Sequence, residues 1–295
     1  MRRLRRLASA AALALPLLLS GCSYFIPTKR HLPVPITPAV VQTVSPEDLV
    51  KQLNGRWDAL STLTATVEIQ ATELKTAEGF AKDFPSCRGY ILLHKPKMLR
   101  VLGTYFGVKI FDMASDGSRF TLVMPTKNLA VQGPNTVTEK SANPLENLRP
   151  GFFLDAITVR GLNPGDEYMV TNDTATIEDA AKKHLYNVPE YILNVMRRKT
   201  ENEHLAERVV TFHRDDMFPY DQEIYDNDGN LETQVSYSGY ADFSAGKYPS
   251  KVTIKRPQEG IQLVLTVVRV EENVDLPAEQ FDVKIPDGTK IQTLK

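Results

Sequence analysis

Apolar and polar residues alternate strictly through Thr62-Leu63-Thr64-Ala65-Thr66-Val67-Glu68-Ile69-Gln70, which sets Leu63, Ala65, Val67 and Ile69 on one face of a strand. Tyr90 to His94 is a second run, Lys95-Pro96 breaks it, and Met98 to Leu102 resumes. Val108 to Met113 and Arg119 to Met124 follow, separated by Asp116-Gly117, a favourable hairpin dipeptide. Further runs cover Val209 to Arg214, Pro219 to Tyr225, Leu231 to Tyr240, Ser250 to Lys255 and Gln262 to Val270. Asp228-Gly229, Gly246 and Gly260 mark turns between them. Runs this closely spaced predict an antiparallel meander and not parallel βαβ units.

Helical spacing occurs in two places. Ser45-Pro46-Glu47-Asp48 has a capping serine, a first-turn proline and acids at the positive end of the dipole. Leu49, Leu53, Trp57 and Leu60 then recur on one face, and Trp57 is expected to plug this helix onto a sheet. In the middle of the chain, Asn143 to Ile157 and Thr176 to Leu185 read as helical, with Pro150-Gly151 interrupting the first. The pattern therefore predicts a mainly β chain with helices, of the α+β class. A strongly curved antiparallel sheet with helices over one face fits this order.

The first residues follow different rules. Arg2, Arg3, Arg5 and Arg6 precede an apolar run of 13 residues, Leu7 to Leu19, the length of a signal-peptide core and too short to span a bilayer. The run ends in Leu19-Ser20-Gly21-Cys22, which resembles the lipobox of bacterial lipoproteins. That resemblance implies cleavage before Cys22 and acylation of its thiol and amine. Each buried methylene contributes about 0.8 kcal/mol, so several acyl chains anchor a protein firmly. Ser23 stands where proteobacterial lipoproteins kept at the inner membrane carry Asp, which implies the outer membrane. Residues 22–45 hold Pro27, Pro33, Pro35 and Pro38 and read as an extended, semi-rigid tether reaching at most roughly 70 Å. The expected organisation is thus a signal peptide over 1–21, a lipidated tether over 22–45 and one domain over 46–295.

Charge and cysteine content narrow the chemistry. The formal net charge is −1, and removing residues 1–21 leaves 31 basic against 36 acidic side chains, so no basic field recruits nucleic acid. With Cys22 lipidated, only Cys87 is left, and it reads as a packed strand residue. The five histidines lack metal-ligand spacing, and no phosphate-cradling or nucleophile-elbow motif occurs. Asp226-Asn227-Asp228-Gly229-Asn230 looks like part of a calcium loop but lacks its closing Glu and sits where a hairpin turn is needed. No metal, cofactor or catalytic residue is expected, and the chain reads as a binding protein, not an enzyme.

A wider likeness rests on two stretches. The first is Gly89-Tyr90-Ile91-Leu92-Leu93, Lys95-Pro96-Lys97-Met98-Leu99-Arg100, Phe106-Gly107 and Ser115-Asp116-Gly117-Ser118-Arg119-Phe120. The second runs through Pro219, Asp228-Gly229, Tyr237, Tyr248-Pro249-Ser250-Lys251-Val252 and Pro257 to Asn273-Val274 and Phe281-Asp282-Val283. Together they resemble the LolA/LolB-like lipoprotein carrier and receptor superfamily. The resemblance implies an unclosed β half-barrel with helices as a lid over an apolar cavity. It also implies that the protein binds acyl chains of lipoproteins or phospholipid and mediates their localisation to the outer membrane, taking cargo from a periplasmic lipoprotein carrier. Receptor members are themselves lipid-anchored at the periplasmic face of the outer membrane, as Cys22 would make this one, and a monomer is expected. They also carry a protruding apolar residue just before a glycine, a position held here by Phe106, so Tyr105 and Phe106 are the candidate membrane-insertion loop. Strand alternation offers Val67, Ile69, Leu92, Leu99, Val101, Ile110, Leu122, Val252, Ile254, Leu263 and Leu265 as cavity-facing residues. The competing reading is a structural or signalling envelope lipoprotein that recognises a protein or envelope component with the same sheet.

Overall fold

The computed structural model describes residues 34–37, 40–75, 79–135, 149–179 and 184–294. Cys22, the signal segment, most of the tether and residues 143–148 lie outside them. The chain divides into two units. In the smaller, residues 1–37 and 176–186, Ile36 bridges Tyr186 in parallel and its N–H donates to the Leu185 carbonyl at 2.8 Å. The larger, residues 38–175 and 187–295, holds the hydrophobic core.

The strands preceding the central helix are β1 (Thr62–Lys75), β2 (Phe80–Asp83), β3 (Cys87–His94), β4 (Met98–Tyr105), β5 (Val108–Ser115), β6 (Arg119–Met124) and β7 (Leu129–Pro134). Those after it are β8 (Glu167–Asp179), β9 (His184–Arg198), β10 (His204–His213), β11 (Pro219–Tyr225), β12 (Leu231–Phe243), β13 (Gly246–Arg256), β14 (Ile261–Glu272) and β15 (Lys290–Thr293). Among the described residues, two α-helices accompany them, α1 (Pro46–Ala59) and α2 (Pro150–Ile157). The spatial order is β15-β7-β6-β5-β4-β3-β1-β14-β13-β12-β11-β10-β9-β8, with β2 attached to β1. Neighbours from β7 to β9 pair antiparallel, whereas β15 joins β7 in parallel. Different strands end the order, so the sheet does not close.

Curvature follows from what α2 touches. The Arg149 guanidinium, just before the helix, lies over the Phe120 ring of β6 at 4.9 Å. Three residues on, the Phe152 ring lies 3.3 Å from the Arg256 guanidinium of β13. From β6 to β13 is six strand spacings, about 29 Å on a flat sheet at roughly 4.8 Å per strand. One helical turn bridges that distance only if the sheet bends around it. The inner face of the bend is a continuous apolar core drawn from β1, β3–β7 and β12–β14, with Phe153, Ala156 and Ile157 of α2 packed into it.

Helix α1 belongs to a second cluster. Its Ser45 cap accepts the Asp48 N–H at 3.1 Å, and Leu49 and Leu53 pack on Tyr191, Leu193 and Val195 of β9 and Val210 and Phe212 of β10. Trp57 does not plug the helix as expected. It is half-buried, with the Lys95 ammonium 4.0 Å above its ring, because Leu49 and Leu53 already fill the contact face. The segment before α1 is bonded to the sheet, Gln42 N–H to the Arg214 carbonyl at 2.7 Å and Val44 N–H to the Tyr191 hydroxyl at 3.0 Å.

Two helical expectations are corrected. Thr176 to Leu185 is not a helix: its described residues belong to β8 and β9. Pro150 does not interrupt a helix either but begins α2, where its missing N–H costs nothing.

Candidate functional site

The sheet’s inner face thins out where β3 meets β4. Gly89 and Gly103 stand opposite each other there. A Cβ on Gly103 would sit 2.2 Å from the Phe111 ring, and one on Gly89 2.4 Å from Ile69, so these glycines let both side chains lie against the strands. Strand β5 also holds an extra residue. Gly103 pairs with Phe111 and Thr104 with Lys109, which leaves Ile110 unpaired. A regular strand would send Ile110 and Phe111 to opposite faces, but the bulge turns both into one hollow.

That hollow has a volume of about 580 Å3. Ile69 and Ala71 of β1, Cys87 of β3, Met113 of β5, Leu122 and Met124 of β6, Leu263 of β14 and Phe153 of α2 form its inner wall. Its exposed rim is made by Pro85, the β4–β5 tip and Thr126 and Lys127 of the β6–β7 turn. Among the described residues no carboxylate or histidine lines it. Burial, and secondarily the Glu68 charge, pushes the Cys87 thiol above its usual range, so it is a neutral wall atom. The arrangement offers dispersion and desolvation to a hydrocarbon and no acid–base chemistry.

The rim tip is unusual. Tyr105 pairs with Val108, so Phe106-Gly107 alone makes the turn, with φ of 47° and 79°. Left-handed backbone at both positions favours Asn-Gly, and an L-residue such as Phe sits there at a cost of about 1–2 kcal/mol. No burial offsets that cost, because Phe106 is 90% exposed. Its ring meets Tyr105 edge-on at 4.6 Å, and Tyr105 and Val108, 45% and 61% exposed, extend the apolar tip.

Of the residues selected by strand alternation, Ile69, Ile110, Leu122 and Leu263 line the hollow. Val67, Leu99, Val101, Val252, Ile254 and Leu265 lie in the same core, buried but away from its wall. Leu92 is a correction. Leu99 pairs with Leu93, and cross-strand partners share a face, so Ile91 and Leu93 point inward and Leu92 outward. Sequence reasoning missed Cys87, Phe111, Met113, Met124, Phe153 and Lys127. Alternation carried back from Ile91 would have found Cys87, and pairing with Val101 marks Met113.

A second hollow, about 880 Å3, lies along the other flank of α2 and is polar. The Arg256 guanidinium there bonds Glu259 at 3.1 Å, Glu232 at 3.2 Å and the Thr233 hydroxyl at 2.7 Å, and Arg208 donates to the Arg160 carbonyl at 2.6 Å. These buried cations hold α2 and its flanking loops against the sheet.

No protein-family model matches the chain, and no curated protein matches it. Solved structures do. A domain from Vibrio parahaemolyticus, described as an outer membrane lipoprotein-sorting protein domain, superposes with a TM-score of 0.50 over 80% of this chain and 95% of its own, at 11% identity. The two chains share a fold. A DUF1329 family protein from Desulfovibrio piger matches equally, with a TM-score of 0.50, 14% identity and coverage of 80% and 95%. A LolA superfamily protein from Nitrosomonas europaea covers 82% of this chain and 99% of its own, at 13% identity and a TM-score of 0.49. At such identities what this chain shares with the Vibrio and Desulfovibrio structures is the fold alone.

Proposed function

We propose that this protein is an outer-membrane lipoprotein, facing the periplasm, that binds the acyl chains of lipoproteins or lipids and mediates their localisation. The observation that supports it most is the apolar hollow opening beside a strained, outward-pointing aromatic tip. Cys22 carries the anchor in this reading, and the lipobox pattern and Ser23 support the outer membrane. Helix α2 serves as the lid, with Phe153 as the face it turns to the chain. Tyr105 and Phe106 dip into the bilayer beside the open rim, so cargo received from a periplasmic carrier leaves without crossing water. An acyl chain exposed to water costs about 0.8 kcal/mol per methylene, which a hydrocarbon wall recovers and a bilayer recovers slightly better. Binding is thus modest and directional, and no catalysis is involved.

Mass spectrometry of lipid extracted from gently purified full chain tests this. An acyl lipid should co-purify in defined stoichiometry and be lost in Leu122→Trp, which fills the hollow. Equal lipid content in both proteins would overturn the assignment of the hollow.

A further inference from the structure

The apolar and polar hollows share a wall one layer of side chains thick. Along β4, the inward-facing positions below the Tyr105 rim are Gly103, Val101 and Leu99. Val101 pairs with Met113, and Met113 with Leu122, so the three stand at one level across β4, β5 and β6. Met113 and Leu122 line the apolar hollow and are buried. One layer further in, Leu99 pairs with Ser115, and both of these line the polar hollow instead. Helix α2 divides the same way. Its Phe153 lines the apolar side, whereas Phe152, Leu154 and Asp155 line the polar one. A tail entering at the rim therefore ends against Met113, Leu122 and Phe153. Pushing past them would place hydrocarbon in the polar hollow with Asp155 and Arg256. From Tyr105 down to the level of Val101 is four residues of strand, about 13 Å at roughly 3.3 Å per residue.

We propose that Met113, Leu122 and Phe153 form a stop that sets how many methylenes of a tail the hollow takes up, and so make the protein selective for acyl-chain length. This rests on the acyl-binding reading above and adds the residues that measure the tail. Staggered C–C bonds near 1.5 Å advance a chain by about 1.3 Å per methylene, so the depth takes roughly ten methylenes lying straight. Up to that length each methylene adds burial. Beyond it, further methylenes stay outside the mouth and add little. The limit is one of depth, set at the closed end, and it holds although the mouth is open.

Full chain carrying Cys22→Ala, stripped of lipid, is titrated calorimetrically with n-alkyl maltosides from octyl to hexadecyl, each below its micelle threshold, so that the head stays constant and neutral. Affinity should rise about fourfold per methylene and then level off, near the decyl chain for a straight tail. Met113→Ala removes Cγ, Sδ and Cε from the stop and should move that break longer by about two to three carbons. Leu122→Phe thickens the stop and should move the break shorter by about one to two carbons. Leu263→Ala, on the side wall opposite Ala71, should weaken all tails alike without moving the break. The two stop variants shift the break in opposite directions, so if one fails to fold the other decides. Affinity that climbs through hexadecyl, or a break that stays fixed in the stop variants, would overturn the length stop while leaving acyl binding intact. No gain in affinity from any added methylene would overturn the acyl-binding reading itself.

Discussion

Phe106→Asn should make the protein more stable and less able to bind membranes. The φ of 47° at Phe106 is one that Asn adopts readily and Phe does not, so the exchange relieves about 1 kcal/mol of strain. For a domain of this size that raises the midpoint of thermal unfolding by about 3 °C. Little is lost in exchange, since the residue is 90% exposed and its ring packs edge-on against Tyr105. The same exposure means that nearly the whole ring is available to a bilayer, where full burial of a Phe contributes about 1.5–3 kcal/mol. Vesicle partitioning of the Cys22→Ala chain should therefore fall roughly tenfold to hundredfold, at about 1.4 kcal/mol per factor of ten. Calorimetry and vesicle sedimentation on one pair of proteins read both effects. A lower melting temperature would show that the ring is part of the packed fold, and unchanged partitioning would show that the tip does not meet the membrane.

Other consequences are open to the same kind of measurement. Gly103→Val places branched carbon against the Phe111 ring and drives it into the hollow, so denaturant melts should show about 1–3 kcal/mol of destabilisation and native mass spectrometry reduced acyl capacity. Leu53→Ala removes a buried α1 contact from the second cluster and should cost about 3 kcal/mol in the same melts without changing acyl stoichiometry. Burial raises the Asp112 carboxyl, but its bonds to Arg100, at 2.8 and 2.9 Å, and to Lys109, at 2.6 Å, outweigh that and hold it below the usual carboxylate range. The stability it contributes is complete above the unfolded value near pH 4 and is lost as pH falls through the folded one. Asp112→Asn should flatten that acid limb of the stability profile and cost about 3 kcal/mol at neutral pH, since Arg100 stays part-buried and loses its partner.

The strands were the most legible part of the chain, because one-sided burial writes itself as alternation. The runs from Tyr90 to Met124 and from Val209 to Val270 fall within observed strands, except that the run Val209 to Arg214 overshoots β10 by one residue. Alternation failed where both faces are apolar: in Ile91-Leu92-Leu93 only the pairing of Leu93 with Leu99 decides which side is inward. It also failed at the bulge, since a regular period puts Ile110 on the face opposite Phe111 and Met113, whereas the bulge brings all three to one hollow. Thr176 to Leu185 misled for a different reason. Where it is described, at 176–179 and 184–185, the pairing of the consecutive strands β8 and β9 overrides a weak local preference for helix. The hollow itself was the least legible. Two facing glycines, one bulge and a Phe from a helix far along the chain create it, and no local window contains all of them.

The central claim is that hydrocarbon occupies the hollow between β5, β6 and α2. Isotope-filtered nuclear Overhauser spectra of carbon-13-labelled palmitate bound to the Cys22→Ala chain test it most directly. Cross-peaks from the chain methylenes to the Met113 and Met124 methyls and to the Leu122 and Phe153 side chains are the predicted result. Cross-peaks confined to the Phe106 tip, or reaching only the polar hollow on the other flank of α2, would contradict it.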